Sequence, residues 1–248
     1  MFVLRNYQKE AVAKGIAFLK SSEQGGAIIV APCGSGKSLI ISAIAKELEG
    51  NTLVLQPSKE LVEQNVAKAE AMGISDIKIF SASCGQKEIG RLTYATVGSI
   101  INKKELFDNF QHLIIDETDL ANAKGGMLND MIEYFGGKVL GLTATPFRLH
   151  AYNDFKTGQL SVVAKFLHRT RPRLFNKIIH ITQIQELYEQ GYLCPIEYQI
   201  DQDYEYWKIK LNSTGRDYDE QSLFDYNQQF NIIEKVVRVV EEILDKDT

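Results

Sequence analysis

The chain has 248 residues, a formal net charge of −4 and 44% hydrophobic residues, which suffices for the core of one large or two small domains. This charge gives no general attraction to nucleic acid, and no apolar run approaches the roughly 20 residues that span a bilayer. Three scattered cysteines argue against a disulfide framework and a zinc site, and the N-terminus lacks the residue order of a secretion signal, so we expect a cytoplasmic protein without membrane contact.

Short apolar runs alternate with helical patterns over the first 143 residues. The runs predicted to be strands are Ala27–Val30, Thr52–Leu55, Ile77–Phe80, Leu92–Ala95, Leu113–Ile115 and Val139–Leu142. Most are continuous rather than alternating, as expected where helices cover both faces of a parallel sheet. Helices are predicted between them, among them residues 39–48 and 59–71. The pattern predicts a doubly wound α/β fold, in which ligands bind at the carboxyl ends of the strands.

A glycine-rich loop follows the first predicted strand and precedes a predicted helix. Its sequence is Ala31-Pro32-Cys33-Gly34-Ser35-Gly36-Lys37-Ser38. Backbone N–H groups of such a loop and of the following helical turn converge on one point, where the helix dipole favours phosphate. We expect Lys37 to reach the β- and γ-phosphates of a nucleotide and the Ser38 hydroxyl to bind Mg²⁺. Gly34 and Gly36 supply backbone torsions that a Cβ would forbid.

Two acidic residues come directly after the strand predicted at 113–115. In a nucleotide hydrolase, Asp116 would hold Mg²⁺ directly or through water, and Glu117 would orient and deprotonate the attacking water. An acidic loop without this chemistry is the alternative.

Two hydroxyl residues, Thr143 and Thr145, end the strand predicted at 139–142. Their side chains can hydrogen-bond the carboxylates of residues 116–119 and respond to the γ-phosphate, whereas loop capping would be the default for such residues alone. We therefore predict that Asp119, Thr143 and Thr145 couple the nucleotide to the rest of the molecule.

Residues near the N-terminus and after two further strands are candidate ligand contacts. Gln8 can pair with the N6 and N7 edge of adenine, and Arg5 or Tyr7 can stack on the base. The hydroxyls and helix N-termini after the other two strands can meet the phosphates of a bound nucleic acid strand, although plain helix capping explains them equally well. These candidates are Pro57, Ser58, Lys59, Thr96 and Ser99.

The pattern changes beyond residue 148. Residues 155–185 carry six lysines and arginines and no acidic residue, so this segment either holds phosphates or forms a solvated face. A helix is predicted at 182–190, and another at 231–244 with one apolar face that needs a partner. We divide the chain into a nucleotide-binding domain at 1–150, a basic segment with a closing helix at 151–195 and a connector at 196–248.

The order and spacing of these motifs resemble those of superfamily-two helicases and translocases. Six segments of the chain resemble motifs of this superfamily. They are Arg5–Gln8 (the glutamine motif), residues 31–38 (motif I), Leu55–Leu61 (motif Ia), Thr96–Ser99 (motif Ib), Asp116–Asp119 (motif II) and Thr143–Arg148 (motif III). Within the superfamily, these motifs and the run Gly191–Pro195 are most similar to RadD-like repair helicases and restriction-enzyme translocases. The chain departs from the usual pattern at Cys33, where Thr is common, and at Thr118 and Asp119, where Cys or Ala and His are common.

The resemblance implies the N-terminal RecA-like motor domain of a DEAD/DEAH-type helicase. Such a domain binds ATP and Mg²⁺ and contacts the backbone of nucleic acid, here expected to be DNA. Nothing in the chain resembles the later motifs, so the second RecA-like domain with its arginine finger is missing and hydrolysis should be slow. The implied ATP contacts are Arg5, Gln8, Cys33, Gly34, Ser35, Gly36, Lys37 and Ser38, with Lys37, Asp116 and Glu117 catalytic and Ser38 and Asp116 on the metal.

Three other functions remain open at this point. The chain could be a non-hydrolysing, ATP-gated module that binds nucleic acid, because the missing finger favours that reading while Lys37 and Glu117 oppose it. It could also belong to an RNA helicase. A small-molecule P-loop kinase would explain motif I but not the order of the acidic and hydroxyl motifs.

Overall fold

The computed structural model describes residues 3–153, 160–194, 206–212 and 218–246. The chain forms two compact units, Met1–Pro195 and Ile196–Thr248. Among the described residues, no helix is both long enough and apolar enough to cross a membrane.

The first unit alternates strands with helices. Its elements are α1 (Asn6–Lys20), β1 (Gly26–Val30), α2 (Lys37–Glu47), β2 (Asn51–Gln56), α3 (Lys59–Ala71), β3 (Ile77–Ser81), β4 (Gln86–Lys87), β5 (Leu92–Thr96), α4 (Val97–Ile100), β6 (Phe110–Asp116), α5 (Met127–Tyr134), β7 (Val139–Thr143), β8 (Phe147–Asn153), β9 (Leu160–Phe166), β10 (Phe175–Ile181) and α6 (Ile184–Glu189). The six strands predicted between residues 27 and 142 each lie within an observed strand, and the strand that the alternating pattern of residues 196–200 predicts lies outside the described residues. The helix predicted at 59–71 has the predicted bounds, and the helix predicted at 39–48 is α2.

Eight of the strands form one sheet in the order β10-β1-β7-β6-β2-β5-β3-β4. All neighbours in the sheet are parallel except β3 and β4. Successive residues of its strands enter separate apolar clusters, as Ile114 and Ile115 do, because side chains alternate between the two faces of a sheet. Both faces are therefore covered, which explains the continuous apolar runs. The carboxyl ends of β1, β2, β6 and β7 meet at one edge.

The strand β10 is a part of the sheet that the sequence did not indicate. It pairs in parallel with β1, with Ile178 opposite Ile28, and the Phe175 side chain is only 1% exposed. Polar residues interrupt its apolar pattern: Lys177, for example, forms an ion pair with Glu23. An edge strand tolerates such residues because one of its sides has no neighbouring strand.

The strands β8 and β9 form a separate two-stranded antiparallel sheet, which we call the hairpin. It follows Pro146 directly and was likewise not predicted. Its exposed apolar residues include Leu149 and Val162, which are 71% and 58% exposed. The hairpin thus stands apart from the main sheet.

The second unit contains α7 (Glu220–Phe230) and α8 (Ile232–Lys246). Helix α8 corresponds to the helix predicted at 231–244. Among the side chains of α8 that the structure describes, Ile233, Val236 and Val237 are apolar and half exposed or more.

Truncating Phe175 tests whether β10 contributes to the core of the first unit. We expect Phe175→Ala to lower the free energy of unfolding by roughly 3–5 kcal/mol, because the removed ring leaves a cavity beneath the sheet. Urea unfolding followed by circular dichroism measures this loss. Phe166→Ala in the exposed hairpin is the control and should cost less than about 1 kcal/mol. Equal effects of the two substitutions would contradict the described packing of β10.

Candidate functional site

The loop between β1 and α2 has the backbone of a phosphate cradle. Gly34 and Gly36 have φ values of +79° and +81°, in the left-handed region that favours glycine. Gly36 caps α2 and offers no side-chain acceptor, so the first N–H groups of α2 have no partner within the helix. A Cβ on Gly36 would lie 2.6 Å from Nε2 of Gln8. The loop therefore presents free donors at a helix N-terminus and leaves no room for a side chain.

The start of the chain is bonded to this loop. The Tyr7 hydroxyl and Gln8 Nε2 both donate to the carbonyl oxygen of Ser35, at 2.9 and 2.8 Å. Gln8 Oε1 accepts from the backbone N–H of Arg5 at 2.9 Å, and the Gln8 side chain is 3% exposed. Gln8 thus keeps one N–H and one lone pair for another partner, in a buried position.

A stack of side chains lies beside Gln8. The Arg5 guanidinium is 3.8 Å from the ring centre of Tyr192, and the rings of Tyr7 and Tyr192 are 5.9 Å apart. Next to Tyr192, Leu193 lies against Gly34, where a Cβ would come within 2.7 Å of Leu193 Cδ2. The segment after α6 therefore lies against the phosphate loop.

Lys37 and Glu117 form an ion pair at the carboxyl ends of β1 and β6. Lys37 Nζ lies 3.1 Å from Glu117 Oε1, and the two side chains are 12% and 31% exposed. Glu117 has φ +49° and ψ +53°, a left-handed conformation that is uncommon for residues other than glycine. The backbone N–H of Glu117 donates to Asp116 Oδ1 at 3.0 Å.

Asp116 is a buried carboxylate that α3 supports. Its side chain is 4% exposed, and its Oδ2 accepts from Asn65 Nδ2 at 3.2 Å. Burial raises the pKa of Asp116, and the charge of Glu117 raises it further, while Lys37 and the hydrogen bond from Asn65 act in the opposite direction. The site therefore holds a carboxylate at a free-energy cost, which a cation would offset.

The residues around Asp116 suit a magnesium ion that keeps most of its other ligands as water or phosphate. No group of three or more His, Cys, Asp or Glu side chains that could hold a metal occurs among the described residues. Mg²⁺ commonly takes one or two protein carboxylates and substrate phosphates rather than an all-protein cage. Three buried amide atoms near Asp116 have no hydrogen-bond partner in the part of the chain that the structure describes: Asn65 Oδ1, Gln56 Nε2 and Gln56 Oε1. These atoms can order the water ligands of such an ion.

The ends of β6 and β7 are joined by a hydrogen bond. Thr143 Oγ1 donates to Asp119 Oδ1 at 2.6 Å, so the hydroxyl reaches one of the carboxylates that the sequence indicated. Thr145 takes part through its backbone N–H, which donates to Thr143 Oγ1 at 3.0 Å. The three residues assigned to coupling therefore lie together, beside Glu117.

The hydroxyls of the candidate nucleic-acid contacts have local hydrogen-bond partners. Ser58 Oγ caps α3 by accepting from the N–H of Leu61 at 3.4 Å. Thr96 does not cap α4 with its side chain; its hydroxyl lies 2.8 Å from that of Ser99, which also accepts from the N–H of Ala82 at 2.8 Å. These local bonds account for the three hydroxyls, and the backbone groups remain the candidates for phosphate contacts.

A cavity of about 390 Å³ lies between these segments and Asp116. Gln56, Pro57 and Val97 form part of its wall, and apolar residues around Met127 form another part. The phosphate loop does not line it. The cavity lies between the predicted nucleic-acid contacts and the Asp116 carboxylate.

Sequence reasoning missed two residues of this site. Asn65 supports Asp116, and its only signal was an asparagine on the otherwise apolar face of the helix predicted at 59–71. Tyr192 stacks on Arg5, but it is more than 180 positions away along the chain. Contacts of such separation leave no local pattern in one sequence.

The fold and its strand-end motifs define a RecA-like motor domain of superfamily two. A family model described as the type III restriction enzyme, res subunit, matches residues 1–148. The chain belongs to this family.

Two curated proteins are similar to the chain in sequence. The putative DNA 3'-5' helicase Rad25 of Haloarcula marismortui is 30% identical over 148 residues, which are 58% of this chain and 23% of that protein. The DNA 3'-5' translocase XPB2 of Sulfurisphaera tokodaii is 31% identical over 186 residues, which are 74% of this chain and 37% of that protein. The chain thus spans about a quarter to a third of the length of these relatives.

Two solved structures share the fold. The UvsW helicase from bacteriophage T4 superposes with a TM-score of 0.53 at 20% identity, over 72% of this chain and 60% of that chain. A nuclease-deletion mutant of the Type ISP restriction-modification enzyme LlaGI, solved with a DNA substrate mimic, superposes with a TM-score of 0.51 at 15% identity, over 77% of this chain and 21% of that chain. Both are evidence for the RecA-like architecture.

The substitution Asp116→Asn tests how much the buried charge of Asp116 lowers the stability of the fold. Without Mg²⁺ and nucleotide at pH 7, we expect Asp116→Asn to raise the thermal midpoint, by roughly 2–4 °C for each 1 kcal/mol of relieved cost. As the pH falls through the raised pKa of Asp116 toward its usual value of about 3.8, the folded wild type takes up a proton before the unfolded chain does. The wild type therefore gains stability relative to the variant, and the difference should shrink.

Circular dichroism melts at pH 7 and pH 5 make this comparison. Asp130→Asn on the exposed surface is the matched control and should change the midpoint little at either pH. A destabilised Asp116→Asn variant at pH 7 would contradict the described electrostatics.

Proposed function

We propose that this chain binds and hydrolyses ATP as the first motor domain of a DNA helicase or translocase. The observation that carries the proposal is the placement of Lys37, Glu117 and Asp116 at the same edge of the sheet, beyond the carboxyl ends of β1 and β6 and beside the free donors of the phosphate loop. Membership of the restriction-subunit family and the names of both curated relatives support it.

The Lys37–Glu117 ion pair suggests how ATP binding would free Glu117 to act as the base. A γ-phosphate that enters the loop attracts Lys37 away from Glu117, since phosphate carries more charge than a carboxylate. Glu117 then loses its cation and is free to accept a proton from water. In this account Lys37 suppresses the base until the substrate arrives.

The other ligands follow from the same geometry. Asp116 and the Ser38 hydroxyl would hold Mg²⁺, which neutralises charge on the phosphates. Gln8 would use its remaining N–H and lone pair for adenine, with Arg5 next to the base and Cys33 to Gly36 around the phosphates. Asp119, Thr143 and Thr145 would pass the change at the γ-phosphate to neighbouring segments.

The nucleic acid would bind across the same edge of the sheet. Pro57, Ser58 and Lys59 and the segment from Thr96 to Ser99 would meet its phosphates, mainly through backbone groups and the Lys59 charge. We propose DNA because both curated relatives are named for action on DNA. DNA repair and restriction are the processes that the relatives and the family suggest.

Each of the three predicted segments of the chain has its own proposed role. Residues 1–150 hold the nucleotide, residues 151–195 provide the basic segment and closing helix, and residues 196–248 lead toward a second RecA-like domain. That domain would supply an arginine finger, which is worth roughly three to five orders of magnitude in rate in related hydrolases.

The three free cysteines suit a reducing cytoplasm.

Substitutions at Lys37 and Glu117 test the hydrolytic site. We expect Lys37→Ala to weaken ATP binding at least tenfold, because the loop loses its phosphate-directed charge. Glu117→Gln should keep ATP binding and slow hydrolysis roughly 10²–10⁴-fold, since an amide cannot accept the proton. A fluorescent ATP analogue reports binding, and phosphate release reports turnover.

Glu105→Gln on the exposed surface is the matched control and should change neither quantity. Turnover by Glu117→Gln at the wild-type rate would contradict the assignment of the base. ATP binding without turnover in both the wild type and Glu117→Gln would favour the non-hydrolysing module instead.

The salt dependence of nucleic-acid binding tests the second part of the proposal. Association with DNA should weaken steeply between 50 and 200 mM salt, with a slope of about −0.9 per phosphate contact. Lys59→Gln should make this slope shallower by about one unit. Fluorescence anisotropy with DNA and RNA of the same sequence measures affinity and preference. Salt-insensitive binding would exclude the backbone surface, and tighter binding of RNA would exclude DNA as the substrate.

A further inference from the structure

The hairpin has two chemically different faces. Residues on its two strands pair directly, with Arg148 opposite Lys165 and His150 opposite Val163. Alternation along a strand places Arg148, His150 and Tyr152 on one face of the hairpin, together with Lys165. Leu149 and Val162 belong to the other face. One face is therefore cationic and aromatic, and the other is apolar.

The cationic face combines like charges in direct opposition. Arg148 and Lys165 are cross-strand partners, an arrangement that destabilises a sheet unless an anion lies between the two charges. Both residues are exposed, and neither takes part in an ion pair found among the described residues. This part of the molecule accordingly retains an electrostatic repulsion that a bound anion would relieve.

The positive charge continues along the chain beyond the hairpin. Arg169 and Arg173 follow β9 on the surface, and no acidic residue occurs in the described parts of 147–182. Tyr152 is 48% exposed on the same face of the hairpin as Arg148. Exposed cations together with an exposed aromatic ring suit nucleic acid, because the cations pair with the phosphates and the ring stacks on a base.

The base of the hairpin is bonded to the nucleotide site. The N–H of Leu167 donates to the carbonyl of Pro146 at 2.9 Å, and Leu167 is 3% exposed in the core. Arg148 Nη1 donates to the carbonyl of Ala121 at 3.4 Å, two residues after Asp119. The hairpin thus begins four residues after Thr143, whose hydroxyl donates to Asp119.

We propose that the cationic face of the hairpin, together with Arg173, is a further contact surface for the phosphate backbone of nucleic acid. The inference rests on the proposed function and adds a contact outside the motif Ia and motif Ib segments. A two-stranded sheet is marginally stable alone, so a bound backbone also stabilises the hairpin. The apolar face is not part of this surface.

Removing two charges from this surface tests the proposal. The variant Lys165→Gln with Arg173→Gln should bind DNA at least about tenfold more weakly at low salt, and its salt slope should be shallower by roughly one to two units. Its thermal midpoint should equal or exceed that of the wild type, since the repulsion between Arg148 and Lys165 is removed. Fluorescence anisotropy on the full chain and a thermal melt measure both quantities.

The matched control removes two exposed charges elsewhere, by Lys20→Gln with Lys87→Gln, and should keep affinity within about twofold. If the hairpin variant behaves as this control does while Lys59→Gln loses affinity, the hairpin surface is refuted and the proposed function stands. If the wild type binds no nucleic acid, both fail. A hairpin variant that loses affinity with an unchanged salt slope would also refute a phosphate contact.

Discussion

The ion pair between Lys37 and Glu117 depends on the parallel direction of β1 and β6. Because both strands run the same way, their carboxyl ends lie at one edge, and residues 80 positions apart in the sequence come within 3.1 Å. If β1 and β6 ran in opposite directions, the two residues would lie at opposite edges of the sheet. Everything else at the site, including Asp116 and the Thr143–Asp119 hydrogen bond, follows from that shared edge.

The sheet also explains why a costly charge can persist at its edge. Asp116 is held by one side-chain amide, from Asn65 of α3, and by the backbone N–H of Glu117. These two hydrogen bonds stabilise the charged carboxylate, whereas its burial in the protein disfavours the charge. The buried charge at Asp116 therefore lowers the stability of the fold but provides a ligand for a cation, a trade-off that is common at functional sites.

Much of this arrangement could be predicted from the sequence, because buried parallel strands have a continuous apolar pattern and phosphate loops require glycine. Edge elements could not be predicted. Lys177 and His180 interrupt β10, and the alternating cationic and apolar residues of the hairpin resemble a basic loop. Asn65 and Tyr192 were missed for another reason, since each acts on a residue far away in the sequence, and one sequence contains no record of such contacts.

The phosphate loop is held from both ends of the first unit. Tyr7 and Gln8 bind the Ser35 carbonyl from the beginning of the unit, and Leu193 presses on Gly34 from its end. The loop cannot change its path without disturbing both segments, although almost two hundred residues separate them along the chain. In hydrogen exchange, amides of α1 and of the turn after α6 would then open together with those of the loop, as one cooperative group that the order of the chain does not suggest.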